Sequence, residues 1–221
     1  MFMTILALEF SSAQRSAAVV RPGARAQISA EAVETGTDGT HAFRLIEKVL
    51  AEAKVEREQI EVLAVGLGPG SYTGVRVAIS IAQGWQLARG VKLLGIGSHE
   101  CLAAQAQVEK NFDRVNVVID AQRNEFYLAT YEISPEGWTE IESLRIVPLT
   151  ELSSRASAGG IWAGPEAARW LPGGKILFPS AATLGRLAAG RSDFVGGGNL
   201  TPIYLRETNF VKARPVGQAF K

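Results

Sequence analysis

Val62-Leu63-Ala64-Val65-Gly66, then Gly68-Pro69-Gly70-Ser71-Tyr72-Thr73-Gly74-Val75-Arg76, then Leu93-Leu94-Gly95-Ile96 is the stretch on which the fold turns. The two short apolar runs read as buried strands, and residues 75–89 read as a helix between them. Strand, glycine-rich turn, helix and strand together imply two parallel strands joined by a right-handed crossover. The helix is apolar or small almost all round, at Val75, Val77, Ala78, Ile79, Ile81, Ala82, Trp85, Leu87 and Ala88. A helix of this kind is covered on two sides. One cover is the sheet, and the other is a further helix of this chain or a partner. Gly74, Ala78 and Ala82, four residues apart, make a flat strip that lets a second helix come close. With Val75 and Trp85 this strip is the expected partner interface.

Working outward, residues 4–8 form an apolar run closed by Glu9, a polar turn follows, and residues 16–20 return as a second strand. The pattern recurs half a chain later: a run from Val115 to Asp120, a turn over residues 121–125, and a return over residues 126–131. Two hairpins, each with a carboxylate closing its first strand, suggest an internal duplication. Actin-like ATPases are built in this way. The expected fold is therefore α/β, with two actin-like (RNase H-like) lobes, each a mixed sheet with flanking helices. The division falls at residues 1–105 and 106–221, and the second lobe is smaller and degenerate. A third strand lies near residues 26–29, and Thr40 caps a helix whose apolar face is Ala42, Leu45, Ile46, Val49, Leu50 and Ala53. In the second half, residues 150–157, 165–171 and 181–189 read as helices and 175–178 as a strand. Residues 196–199 read as a flexible break and 201–206 as an extended closing segment.

Nearly half of the 221 residues are apolar and a fifth charged, which is ordinary globular composition. The net charge is +1 with no basic stripe, which disfavours RNA binding by this chain alone. Arg206, Lys212, Arg214 and Lys221 read as a solvated basic terminus. Cys101 is the single cysteine, so no disulfide and no multi-cysteine zinc site forms within the chain, which suits a reducing compartment. The apolar start lacks a basic region and reads as a strand rather than a signal peptide. No segment has the length of a membrane span, and a cytoplasmic location is expected.

Glycines at 68, 70 and 74, with the hydroxyls of Ser71 and Thr73, place backbone amides at a helix start, where an anion can bind. The turn lacks the lysine of a phosphate-binding loop, misses the dinucleotide fingerprint by one residue, and has Pro69 and Thr73 where a serine-hydrolase elbow needs glycine. His41 and His99 stand in no metal-ligand spacing. Cys101 lies beside His99 on a helix, where neighbouring side chains diverge, and reads as a small buried hydrophobe. Glu9 and Asp120, closing equivalent strands, are placed to flank a magnesium nucleotide in a cleft. With Ser11, Gly68, Gly70, Ser71 and Thr73 they make the candidate anion or nucleotide site. No catalytic residue and no metal ligand is assigned.

Residues 68–76 as a block are similar to the hallmark of the TsaB family, also called YeaZ. The resemblance extends to residues 5–9, the helix starting at His41, residues 119–127, and Pro202-Ile203-Tyr204-Leu205-Arg206. It implies two actin-like lobes and a role beside TsaD, which transfers threonylcarbamoyl to the tRNA adenosine next to the anticodon, with the small ATPase TsaE as a further partner. It also implies that the helix at His41, Leu45 and Val49 and the helix following Gly74 pair with TsaD or with a second copy of the chain. TsaD holds a metal through a histidine pair, and this chain has only His99 there, so metal-dependent transfer is not expected. Glu9-Phe10-Ser11 also departs from the family's usual Asp-Thr-Ser, placing a bulky Phe10 at the would-be phosphate loop. The implied role is a non-catalytic subunit without a cofactor of its own, ATP entering only in the complex and tRNA contacting it only indirectly. The competing reading is an actin-like nucleotide hydrolase or kinase.

Overall fold

The computed structural model describes residues 3–21, 27–36, 41–108, 114–157 and 159–206. The first half runs β1 (Ile5–Glu9), β2 (Gln14–Arg21), β3 (Gln27–Thr35), α1 (Ala42–Ala53), β4 (Val62–Gly66), α2 (Tyr72–Arg89), β5 (Lys92–Ile96) and α3 (Ser98–Val108). The second runs β6 (Arg114–Asp120), β7 (Glu125–Ser134), β8 (Gly137–Pro148), α4 (Leu149–Ser157), β9 (Ile161–Gly164), α5 (Ala167–Trp170), β10 (Lys175–Ile176) and α6 (Ala181–Ala189). The first sheet has the order β3-β2-β1-β4-β5 and the second β8-β7-β6-β9-β10. In both, the first strand is antiparallel to the second and parallel to the fourth, and the fourth is parallel to the fifth. The duplication expected from the hairpins is thus a repeat of the whole β-β-β-α-β-α-β-α unit. The second copy is the degenerate one: α5 has 4 residues where α2 has 18, and β10 has 2.

β1 and β4 are buried along their whole lengths, as central strands between two helical layers are. Alternate residues feed two cores. Leu6, Leu8, Leu63 and Val65 pack under α1 and α2, while Ile5, Ala7, Val62 and Ala64 pack on the other face with Cys101 and α6. α2 is capped at its start by Ser71, whose hydroxyl accepts from the Gly74 amide at 3.2 Å, and is closed by Gly90 at φ 69°.

β1 to β5 make the first sheet and β6 to β10 the second, but the helices cross over. α6 lies on the first sheet, its leading amides donating to Ser16 Oγ (2.8 Å) and Glu31 Oε1 (3.0 Å). α3 sends Leu102, Ala103 and Ala106 into the second core beside Val115 and Tyr131. Residues 197–199 form a 3₁₀ turn rather than a flexible break, pinned to α2 where Gly197 donates to Gln86 (2.7 Å) and accepts from Gln83 (2.9 Å).

Two strands escape the sequence reading. β8 is a long, polar edge strand whose pairing slips twice near Thr130, which destroys simple alternation. β9 has only four residues. The predicted Thr40 cap lies outside the described residues. His41 takes the cap position without a capping bond and instead places Nδ1 2.6 Å from Glu34 Oε1.

Candidate functional site: an interlobe cleft and a helix groove

The glycine-rich turn is first a packing device. A Cβ on Gly70 would stand 2.1 Å from the Ser11 carbonyl oxygen, and one on Gly74 would stand 2.0 Å from that of Phe10. Both glycines let α2 rest directly on the β1–β2 turn. Its amides are largely spent within the chain: Ser71 donates to the Ser11 carbonyl (2.6 Å) and Gly68 to Ser98 Oγ (3.2 Å). The phosphate cradle expected at Gly68 and Ser71 is therefore already filled by the protein's own acceptors. Phe10, expected to crowd a phosphate loop, points into the first core and is fully buried.

Glu9 must also be reassigned. Its carboxylate accepts from the Ser11 amide (2.8 Å) and from Ser98 Oγ (2.9 Å), and it is fully buried beneath Gly66. Glu9 lies on the same pleat face of β1 as Ile5 and Ala7, which sends it toward α3. Burial raises its pKa above the usual 4.5, although the hydrogen bonds from Ser11 and Ser98 oppose the shift. Folded Glu9 thus holds its proton more tightly than the unfolded chain does. Its contribution to stability is complete below pH 4.5 and is lost as pH rises through the raised value. Glu9→Gln, which carries no such proton, is expected to flatten this part of the stability profile, read as unfolding midpoints from pH 4 to 8.

Between the lobes lies a cleft of about 500 Å³. Ser11, Ser12, Arg15, Gly70 and Ser71 line it from the first lobe, and Asp120, Gln122, Tyr127, Glu166 and Arg169 from the second. Of the predicted site residues it unites Ser11, Gly70, Ser71 and Asp120, but not Glu9, Gly68 or Thr73. Asp120 accepts from the Gln122 amide at 2.7 Å. Glu166, missed in the sequence, is raised by burial and by the nearby Asp120 charge. The signal for it is positional: Pro165-Glu166 follows β9 as the glycine-rich turn follows β4. Arg15 is anchored on the Gly36 carbonyl at 3.0 Å.

The second-lobe wall of the cleft ends in a turn with three successive left-handed residues, Gln122 (φ 65°), Arg123 (60°) and Asn124 (58°). Each such residue costs about 1 kcal/mol or more. Arg206 braces the turn, donating to the Ala121 carbonyl (2.9 Å) and pairing with Glu125. It is therefore not part of a solvated terminus; Lys212, Arg214 and Lys221 lie outside the described residues.

The second feature is a groove of about 560 Å³ on the outer face of α2, lined by Phe43 of α1 and by Tyr72, Thr73, Arg76, Val77, Ser80, Ile81, Gly84 and Trp85. Phe43 is 67%, Tyr72 58% and Leu87 90% exposed, a large apolar display for one surface. Gly74, Val75, Ala78 and Ala82, predicted to meet a partner, face inward and are at most 2% exposed where hydrophobic. Leu45 and Val49 of α1 likewise belong to the core. The small-residue strip is used, but by the chain's own sheet. The outward row is Thr73, Val77, Ser80, Gly84 and Leu87, spaced four, three, four and three as in a helix-pairing seam. Trp85 lines the groove, while His41 is exposed and pairs with Glu34.

His99 sits in α3, nearly buried, with its ring 6.5 Å from that of Tyr131, and burial lowers its pKa. Cys101 is buried, which pushes its thiol well up. No three His, Cys, Asp or Glu residues gather at one point among the described residues.

Paired sheets of identical strand order enclosing a cleft, with the glycine-rich turn launching α2, define the class: a two-lobed actin-like protein. The chain matches the family profile "TsaD: tRNA N6-adenosine threonylcarbamoyltransferase" over residues 40–209. It is 28% identical over 188 residues to the tRNA threonylcarbamoyladenosine biosynthesis protein TsaB of Escherichia coli, covering 77% of this chain and 81% of that one. To the protein of the same name from Haemophilus influenzae it is 33% identical over 127 residues, covering 58% of this chain and 53%, about half the length, of that relative. The solved structure of YeaZ from Pseudomonas aeruginosa superposes with a TM-score of 0.77 at 27% identity, covering 92% of this chain and all of that one. The chain belongs to the TsaD-type glycoprotease-like family and, within it, to TsaB (YeaZ).

Proposed function

We propose that this chain is a non-catalytic, cytoplasmic subunit required for tRNA N6-threonylcarbamoyladenosine formation next to the anticodon, and that it binds and activates a TsaD-like transferase through the α2 groove. The observation that carries the reading is the outward row of α2, small at Ser80 and Gly84 and flanked by exposed Phe43, Tyr72 and Leu87. Such a face suits a helix pair of the partner and buries apolar surface on docking. The same face serves a homodimer when the partner is absent. A TsaE-like ATPase joins the complex, ATP enters there, and tRNA reaches this chain only through it. No described helix is long and apolar enough to cross a membrane.

Depleting the chain in its host and weighing tRNA nucleosides tests the reading. Loss of the modified adenosine, together with recovery of the TsaD-like subunit on the tagged chain, is expected. Normal modification and no co-purification would overturn it. A second reading, a nucleotide hydrolase acting alone, is favoured by the cleft with Arg15, Asp120 and Glu166 on its walls. Calorimetry of the isolated chain with ATP and magnesium decides it: heat of binding supports it, and its absence removes it.

A further inference from the structure

We infer that the closing segment 201–206 is a strap that couples the α2 groove to the wall of the interlobe cleft. Its root is in the first lobe, where Leu200 enters the core and the Ile203 amide donates to the Leu67 carbonyl at 2.9 Å. Its middle rests on the helix. The Tyr204 ring stacks on Tyr72 at 5.6 Å with an interplanar angle of 21°, and its hydroxyl accepts from Arg76 Nε at 3.1 Å. The Arg76 guanidinium in turn lies 4.1 Å from the centre of the Tyr72 ring. Its end is in the second lobe, where Arg206 holds the Ala121 carbonyl and the Glu125 carboxylate.

Two features make this more than a surface strand. Tyr72 lines both the groove and the cleft, so whatever occupies the groove bears on the residue that Tyr204 stacks against. At its other end the strap grips the turn formed by Gln122, Arg123 and Asn124, three left-handed residues in a row that depend on outside bonds to persist. Gln122 of that turn and Asp120, which closes β6, line the cleft. Only Leu205 separates Tyr204 from Arg206, so displacement of the aromatic ring moves the guanidinium that braces the turn. Occupation of the groove and the shape of the cleft are therefore linked, and by reciprocity a ligand in the cleft alters docking.

The link to docking rests on the groove being the partner site; the link from Tyr204 to the turn does not. Hydrogen exchange measured by mass spectrometry on the full chain separates them. Arg206→Ala is expected to speed exchange at Ala121 and Glu125 about tenfold, since both amides close the turn. Tyr204→Ala, which leaves Arg206 in place, is expected to speed the same amides by a similar factor, while β1 and β4 keep wild-type protection and report an intact fold. Wild-type exchange of the turn in Tyr204→Ala would overturn the strap. Adding the TsaD-like subunit is then expected to change exchange at 121–125 in the wild type and not in Arg206→Ala. A complex that forms without that change also overturns the coupling, whereas failure to form any complex overturns the docking reading and leaves the first result to decide the strap.

Discussion

Ser80→Arg is expected to fold with an unfolding midpoint near that of the wild type and to bind the TsaD-like subunit about 100-fold more weakly, a loss of about 2.8 kcal/mol. Ser80 is exposed in the outward row of α2, where a long cation fills the groove and blocks the approach of a second helix. Ala78→Glu, half a turn away, is expected not to fold. Ala78 is 0% exposed against the first sheet, and a carboxylate there has no partner. Its burial costs about 4 kcal/mol or more, a large share of a total stability of about 5–15 kcal/mol. Circular dichroism and pull-down on both variants check the pair. Assembly lost in Ala78→Glu says nothing of the interface, whereas assembly lost in folded Ser80→Arg does. Retained binding by Ser80→Arg would remove the groove as the docking face.

Gly74→Val is the second large effect, an expected loss of about 3 kcal/mol or more, seen in urea unfolding. The added Cβ alone would stand 2.0 Å from the Phe10 carbonyl oxygen, a backbone atom that cannot rotate aside, so α2 must lift from the hairpin beneath it. Gly84→Ala is the internal control. Nothing stands within 4 Å of a Cβ there, and replacing a helical glycine is expected to add about 0.5–1 kcal/mol. Equal stability of the two variants would refute the packing role assigned to the turn.

Most of the architecture is readable along the chain because it rests on local signals. The apolar runs of β1 and β4, the helix 181–189 stopped by Gly190, and the carboxylate-closed hairpins each announce themselves by period or by turn residues. Those hairpins sufficed to expose the duplication. β8 and β9 were not readable, since one is polar with slipped register and the other has only four residues. Of the cleft, Ser11, Gly70, Ser71 and Asp120 were found by motif. Arg15, Glu166 and Arg169 were not, because Arg15 of β2 and the short α5 with its cap Glu166 come together only across the two lobes.

By itself the sequence pointed to two copies of one strand-and-helix unit and to a glycine-rich turn that launches α2, a helix apolar or small almost all round. Only the tertiary structure decided which side faces out. Period places residues around a helix axis but cannot orient that axis when apolar residues surround it. The close contact of Gly74 with the Phe10 carbonyl turned the small-residue strip inward and left Thr73, Val77, Ser80, Gly84 and Leu87 outside. In the same way, the pleat of β1 and the Ser98 hydroxyl drew Glu9 beneath the sheet rather than into the cleft, a choice that depends on a residue 89 positions away.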